Sequence, residues 1–256
     1  MPGAGYLHES PAAVAAGPRS GFLDVWVLSV SGVRADHADL SVLDERERER
    51  AVKFVRDVDR HSYLAAHIAL RYVLSRHLGL PPGQVTLARD ACPNCGAMHG
   101  RPVLAEPDPA VQFSLSHGGD LVLIGVAATP VGVDVEEVPD PQVAWDLTAR
   151  LHPVEQREIA TAQRPELAFA TVWTRKEAYL KGIGTGLSGG LATDYLGTTG
   201  LAPLPDGWSV LDVPVPAGYA GAAAVASATP DTRVLQLPAA VIEGDAAAMG
   251  DAGAMG

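Results

Sequence analysis

The stretch Val111-Gln-Phe-Ser-Leu-Ser-His-Gly-Gly-Asp-Leu-Val-Leu-Ile-Gly-Val-Ala-Ala-Thr-Pro-Val-Gly-Val-Asp-Val-Glu-Glu-Val138 decides how this chain is read. Two apolar runs, Val111 to Leu115 and Leu121 to Ala127, flank Gly118-Gly119 and predict a β-hairpin. The next run, Val131 to Val138, alternates apolar residues with acids. As a strand it places Asp134 and Glu136 on one face and Val133 and Val135 on the other, which turns Glu137 away from the two acids.

Upstream, Leu23 to Val30 reads as a strand, and Ser41, with Glu45 close behind, opens a helical block. Arg60 to Leu78 continues helically, with Leu64, His67, Ile68, Arg71, Leu74 and Leu78 on one face, until Gly79 and Pro81-Pro82 stop it. Downstream of Pro139 and Pro141 the order repeats: Trp145 to Ala162 and Glu166 to Lys181 read as helices. A Gly-rich loop at 182–190 and strand-like pieces at 208–213, 219–227 and 232–237 follow. The predicted class is α+β, with two similar α+β halves in a pseudo-twofold arrangement, each an antiparallel sheet packed by helices. Residues 21–138 form the N-terminal half and 139–243 the C-terminal half. The Ala-, Gly- and Pro-rich ends, 1–20 and 244–256, are expected to be disordered.

A second informative stretch is Trp173-Thr-Arg-Lys-Glu-Ala-Tyr-Leu-Lys181. On a helix Trp173, Glu177 and Lys181 line one stripe, with Lys176 on a neighbouring flank. Carboxylates of Asp134, Glu136 and Glu177 converging from strand and helix would suit Mg2+, which prefers oxygen ligands and commonly shares them with substrate phosphates. Spacing alone fits equally well a solvated edge strand and an ordinary i, i+4 surface pair.

The pair Gly-Val-Asp-Val-Glu and, some forty residues on, Trp-x-x-Lys-Glu-Ala-x-x-Lys-Gly resembles the signature of the 4′-phosphopantetheinyl transferase superfamily, in its longer, surfactin-synthetase-associated type. The resemblance implies transfer of the phosphopantetheine arm of coenzyme A to a serine of an apo acyl or peptidyl carrier protein, with release of adenosine 3′,5′-bisphosphate. It implies Mg2+, or Mn2+ in its place, held by Asp134, Glu136 and Glu177. Glu177 would also accept the serine proton, directly or through a metal-bound water. Lys181 would screen or protonate the leaving group, with Lys176 alongside. Gly100-Arg101-Pro102 and Phe113-Ser-Leu-Ser-His117 resemble the family's Gly-Lys-Pro and Phe-Asn-Leu-Ser-His segments, so Arg101, Ser116 and His117 carry over as coenzyme A contacts. Arg60, in Asp59-Arg60-His61-Ser62, carries over as an anchor of the nucleotide 3′-phosphate. The departures are Arg for Lys at 101, Ser for Asn at 114, Gly118 where a second serine is common, and Ser62 in the last slot of an Asp-Arg-x-Arg-like run. Arg101 keeps the charge and adds a fork that suits phosphate. The resemblance runs from residue 42 to 190 and implies a coenzyme A cleft between the halves.

Composition bounds the rest. With 256 residues and 47% apolar side chains the chain can bury a real core. The absence of a charged leader and the shortness of the longest apolar run, Leu121 to Ala128, predict a cytoplasmic, soluble protein with no membrane partner. A net charge of −11 argues against nucleic-acid binding. It also means that an acidic carrier needs a local basic surface. Arg46, Arg50, Lys53, Arg56 and Arg60 would form a stripe if Ser41 to Arg60 were one helix, although the interleaved Asp44, Glu45, Glu47 and Glu49 suit a solvated, ion-paired helix. Two halves in one chain supply the cleft internally, which predicts a monomer.

Other motifs carry less. Gly182-Ile-Gly-Thr-Gly186 follows a helix, whereas dinucleotide fingerprints precede one. Ser116 and His117 are adjacent, so on a strand they face opposite ways and cannot be nucleophile and base. Cys92-Pro-Asn-Cys95 with His99 has half the spacing of a zinc site, with Asp90 as a candidate fourth ligand; reduced thiols in a loop are the default. His67, His77 and Trp173 read as packing residues. Two rival functions need the same residues: a Mg-dependent hydrolase of the coenzyme A pyrophosphate, and a binding module that holds a carrier protein without turnover.

Overall fold

A computed structural model describes residues 21–92, 95–106, 111–186, 190–197 and 204–251. Residues 1–20, expected to be disordered, lie outside them. Strand β5 (Leu121–Ala127) is buried along its whole length, so it needs cover on both faces, and that requirement sets the layering. It lies between β4 (Gln112–Gly118) and β1 (Phe22–Ser29), antiparallel to each, while β9 (Asp231–Gln236) adds to β1 in parallel, giving the order β4-β5-β1-β9. A second sheet, antiparallel throughout, runs β6 (Val131–Glu137), β8 (Tyr219–Val225), β7 (Ser209–Asp212). A small ribbon of β2 (Leu87–Arg89) and β3 (Pro102–Leu104) stands apart from both sheets.

Strand alternation decides which core each residue joins. Trp26, Leu28, Val122 and Ile124 pack with Ile68, Ala69 and Tyr72 of α2 (Asp57–Leu78). Their neighbours Val25, Val27, Leu121 and Leu123 meet Val131, Val133 and Val135 of β6 and Ala223 and Val225 of β8. On the far side of the second sheet, α5 (Pro165–Ile183) packs Ala178 and Tyr179 on Ala222 and Ala224. Helices α3 (Pro141–Thr148) and α4 (Pro153–Thr161) cover α5 in turn. The layers are helix, sheet, sheet, helix, which is the predicted α+β class with a long helix on each sheet. Among the described residues no helix is long and apolar enough to cross a membrane.

Besides dividing the helix read over Trp145 to Ala162 into α3 and α4, the structure differs from the reading in four places. First, β6, read as the last strand of the N-terminal half, pairs with β8 in the second sheet. Second, β9 returns to the first sheet and makes it mixed rather than antiparallel. A buried ion pair joins the two strands: Asp24, 1% exposed on β1, accepts two hydrogen bonds from its register partner Arg233 at 2.8 and 2.6 Å. Third, the tail expected to be disordered at 244–256 forms a 3-10 turn over Ala246–Asp251, with Ala248 and Met249 in the first core; 252–256 lie outside the described residues. Fourth, Ser41 to Arg60 is not one helix.

That fourth difference removes the basic stripe. Helix α1 (Glu45–Ala51) ends before α2 begins, so Arg46, Arg50, Lys53, Arg56 and Arg60 are exposed but lie on three separate segments. Glu47, expected among solvated acids, is instead 6% exposed. It closes a capping box with Asp44 and accepts from Arg71 Nε at 2.8 Å, while His67 Nδ1 lies 2.8 Å from its other oxygen.

His77 adds a pH dependence. It stacks on Phe22 and lies 3.7 Å from Asp24. Burial holds its imidazole below the usual range; Asp24 pulls the other way, and Arg233 and Arg76 push with burial. The unfolded chain therefore takes up a proton below pH 6.5 that the folded chain refuses, so stability is lost as pH falls through that window. Urea unfolding between about pH 7 and about pH 5 should show this loss, and His77→Gln should flatten part of it. Identical slopes in both proteins would remove His77 as the cause.

Candidate active site

The site forms where α5 lies across β6. A Cβ at Gly132 would stand 1.9 Å from the Ala178 carbonyl oxygen and 2.5 Å from the Gly182 nitrogen, so the helix can lie this close only because residue 132 lacks a side chain. The seating brings the Glu177–Lys181 stripe beside Asp134 and Glu136. Helix α5 then stops at Gly184, in the left-handed conformation with φ 82°, as the helix-stop reading expects.

Asp134 is the centre. It is 2% exposed, and its Oδ1 takes hydrogen bonds from Lys181 Nζ at 2.6 Å and Ser116 Oγ at 2.9 Å. Lys181 Nζ also donates to Ser116 Oγ at 3.0 Å. The other oxygen, Oδ2, is buried and has no hydrogen-bond partner among the described residues. A buried anionic oxygen in that condition is costly, and a cation would satisfy it. Glu136 is exposed, yet desolvation of its carboxyl, then Asp134, push it up to about 7, with Glu177 adding and Lys181 opposing. Glu177, half-buried, is raised by the same two causes. The three carboxylates thus feel one another. They are not drawn into one shell: among the described residues the His, Cys, Asp and Glu ligand atoms that gather within 4.8 Å are those of Cys92, Cys95 and His99.

Strand β4 supplies the second wall. Ser114 Oγ accepts from the Val133 N–H at 3.1 Å, tying β4 to the strand of Asp134, and a Cβ at Gly118 would lie 2.5 Å from the Val135 oxygen. The close approach accounts for glycine at 118. Ser116 and His117 face opposite ways as expected. Ser116, expected to touch coenzyme A, spends its hydroxyl on Asp134 and Lys181, and so orients the carboxylate. His117 is exposed; desolvation lowers its pKa, with His67 and Lys181 adding and Asp59 opposing. Arg60, near the start of α2, is exposed and ion-paired to Asp57 at 2.8 Å.

Arg101 borders a cavity of about 290 Å³ that it shares with Phe113, Ser114, Lys181, Gly184 and Thr185. Its Nη1 donates to the Gly182 oxygen at 3.3 Å, and its Nε lies 3.5 Å from Asp90. Lys176 does not belong to the site. It is 2% exposed, its ammonium 3.0 Å from Glu155, a carboxylate that is itself fully buried and also accepts the Leu196 N–H. The flank of α5 that carries Lys176 faces α4 rather than the cleft. Arg175 is structural as well, gripping Asp212 at 2.7 and 2.6 Å. Glu137 lies outside the site, 3.2 Å from the Tyr219 hydroxyl, and the Trp173 ring packs tilted against Phe169 in the helical core.

Three residues that the sequence motifs contain without a structural role set the geometry of the site: Ser114, Gly118 and Gly132. All act through the backbone of a neighbouring element, and glycine within a strand is the signal for such close approach.

A family model described as the N-terminal region of 4′-phosphopantetheinyl transferases matches residues 34–130, and one described as the 4′-phosphopantetheinyl transferase superfamily matches 130–199. They meet at residue 130, one residue before β6. Among curated proteins, a phosphopantetheinyl transferase of Thraustochytrium sp. is 34% identical over 189 residues, which is 66% of this chain and 63% of the relative. The 4′-phosphopantetheinyl transferase psf-1 of Bacillus pumilus is 29% identical over 150 residues, 57% of this chain and 60% of the relative. The human L-aminoadipate-semialdehyde dehydrogenase-phosphopantetheinyl transferase is 26% identical over 178 residues, 63% of this chain and 52% of the relative. In each case the match spans less than two thirds of the relative's own length.

Proposed function

We propose, from the fact that this chain belongs to the 4′-phosphopantetheinyl transferase superfamily, that it transfers the 4′-phosphopantetheine arm of coenzyme A to a serine of an apo acyl or peptidyl carrier protein. The observation that carries this reading is Asp134: a buried carboxylate with one oxygen held by Lys181 and Ser116 and the other without a partner, flanked by two acids of raised pKa.

In the proposed reaction the serine oxygen bonds to the phosphorus that carries the pantetheine arm, and that phosphorus loses its bond to the bridging oxygen of the pyrophosphate. Adenosine 3′,5′-bisphosphate leaves. Glu177, whose carboxyl is raised, is suited to take the serine proton. Lys181, 31% exposed at its side chain and already beside Asp134, offers its ammonium to the charge growing on the leaving phosphate. Ser116 keeps Asp134 oriented. Arg101 at the cavity, with His117 and Arg60 nearer α2, hold the nucleotide end. Asp134, Glu136 and Glu177 would hold Mg2+, which when bound supplies positive charge to the pyrophosphate.

The partners in this reading are coenzyme A and an acidic carrier. The carrier would meet the exposed Arg50, Lys53 and Arg56 around Val52 and Val55, which are 76% and 98% exposed. The protein acts as a cytoplasmic monomer in polyketide or nonribosomal peptide biosynthesis. Incubation with Mg2+, coenzyme A and apo carriers from several pathways, read by intact mass, should show the added arm. Carriers that all stay apo would sink the reading; phosphopantetheine released without a carrier would make the protein a hydrolase, and tight carrier binding without transfer a binding module.

A further inference from the structure

The loop between β2 and β3 carries a second cluster that the transfer chemistry does not use. Ligand atoms of Cys92, Cys95 and His99 all lie within 4.8 Å of one another, with Cys95 Sγ 3.0 Å from His99 Nε2. The backbone is built to gather them. Gly96, at φ 73°, donates its N–H to the Cys92 carbonyl at 2.7 Å, and Cys92 and His99 both donate to the Ala97 carbonyl at 2.8 Å. A left-handed residue directly after the second cysteine turns the chain so that His99 comes back to Cys95. The base of the loop is closed by Asp90 N–H to the Arg101 carbonyl and Gly100 N–H to the Asp90 carbonyl, each 2.9 Å.

The donor set selects the ion. Two thiols and an imidazole are soft and borderline ligands, ill suited to Mg2+ and well suited to Zn2+. In tetrahedral zinc, bonds of about 2.3 Å to sulfur and about 2.0 Å to nitrogen place neighbouring donors about 3.5–3.8 Å apart, a spacing this cluster reaches with small side-chain shifts. We propose that Cys92, Cys95 and His99 bind one Zn2+ ion, with water as the fourth ligand. Asp90, the fourth ligand the sequence suggests, is turned elsewhere: one oxygen accepts the Ala91 N–H at 2.9 Å and the other lies 3.5 Å from Arg101.

The ion fixes the position of Arg101. Cys92 and His99 line the same cavity as Arg101 and Lys181, and only Gly100 separates His99 from Arg101, whose guanidinium reaches the end of α5 at Gly182. With the loop clamped by zinc, Arg101 is held at the nucleotide end of the cleft. His99 is thus a positioning residue; this consequence rests on the transferase reading, whereas zinc binding does not.

The full chain, dialysed against metal-free buffer, should retain about one equivalent of zinc by elemental analysis. Replacement by Co2+ should give the intense visible bands and thiolate charge-transfer absorption of a tetrahedral site. Cys95→Ser and His99→Ala should each lower the zinc content at least tenfold. Wild-type protein without zinc and without a cobalt–thiolate band, including protein whose two thiols titrate as a disulfide, would overturn the site whatever the variants do. His99→Ala should also raise the KM for coenzyme A about tenfold with kcat little changed. Zinc binding with an unaltered KM would overturn the positioning role, and zinc binding in a protein inactive on every carrier would show that the transferase reading had failed instead.

Discussion

Asp134→Asn is expected to lower phosphopantetheine transfer by about 10²–10³-fold with the fold retained. Asparagine keeps the shape and still accepts from Ser116 and Lys181, so the hydrogen bonds to Oδ1 survive. What it removes is the charge at the buried, unpartnered Oδ2, which the proposed cation needs. The same substitution carries a readout independent of turnover. Asp134 is the second cause that raises Glu136 to about 7, and it also raises Glu177, so both carboxyls should titrate at lower pH in the variant. Carboxyl-carbon NMR titrations would follow them, and intact mass of the carrier would follow transfer. Turnover within a few-fold of wild type would remove Asp134 from the centre of the mechanism.

How far the sequence revealed this site follows from the range of its signals. Periods of 2 and 3.6 place Asp134 and Glu136 on one strand face and Glu177 and Lys181 on one helix stripe, and those faces do meet, whereas a joint role for the four was implied by the family resemblance and not by spacing. The same periods say nothing about partners distant in the chain. Lys176 stands one residue from Glu177, and no local pattern shows that Glu155 of α4 pairs with it in the core. Glu47 sits in an alternating Glu-Arg run that reads as solvated, and its burial depends on Arg71, 24 residues away. The β9 crossover is similar: 232–237 is plainly strand-like, but its pairing with β1, which sets Arg233 against Asp24, is a contact across more than two hundred residues that no local pattern shows. A charge near an apolar segment is ambiguous until its counter-charge is known, and the counter-charge is a property of the tertiary fold.

Gly132→Ala should damage both stability and transfer, and it tests why the two motifs meet at all. The added Cβ would stand 1.9 Å from the Ala178 oxygen, 2.5 Å from the Gly182 nitrogen and 3.0 Å from the Ala178 carbonyl carbon. All three are backbone atoms of α5, so no side chain can swing aside and the helix itself must move. Its neighbours resist, because Ala178 and Tyr179 are packed on Ala222 and Ala224, and Gly182 already abuts the Trp208 ring. Overpacking of this kind costs about 3 kcal/mol. The accompanying displacement of Glu177 and Lys181 from Asp134 by about 1 Å should lower transfer about 10²-fold in the protein that remains folded. Gly83→Ala is the control, since its Cβ would meet only Val42 Cα at 3.9 Å and its stability should change by no more than about 0.5 kcal/mol. Denaturant unfolding and carrier mass would read the two effects separately. If Gly132→Ala unfolds and turns over like wild type, the glycine of the acidic motif does not seat α5, and the convergence of Asp134 with Glu177 must depend on the apolar packing of α5 against β8 alone.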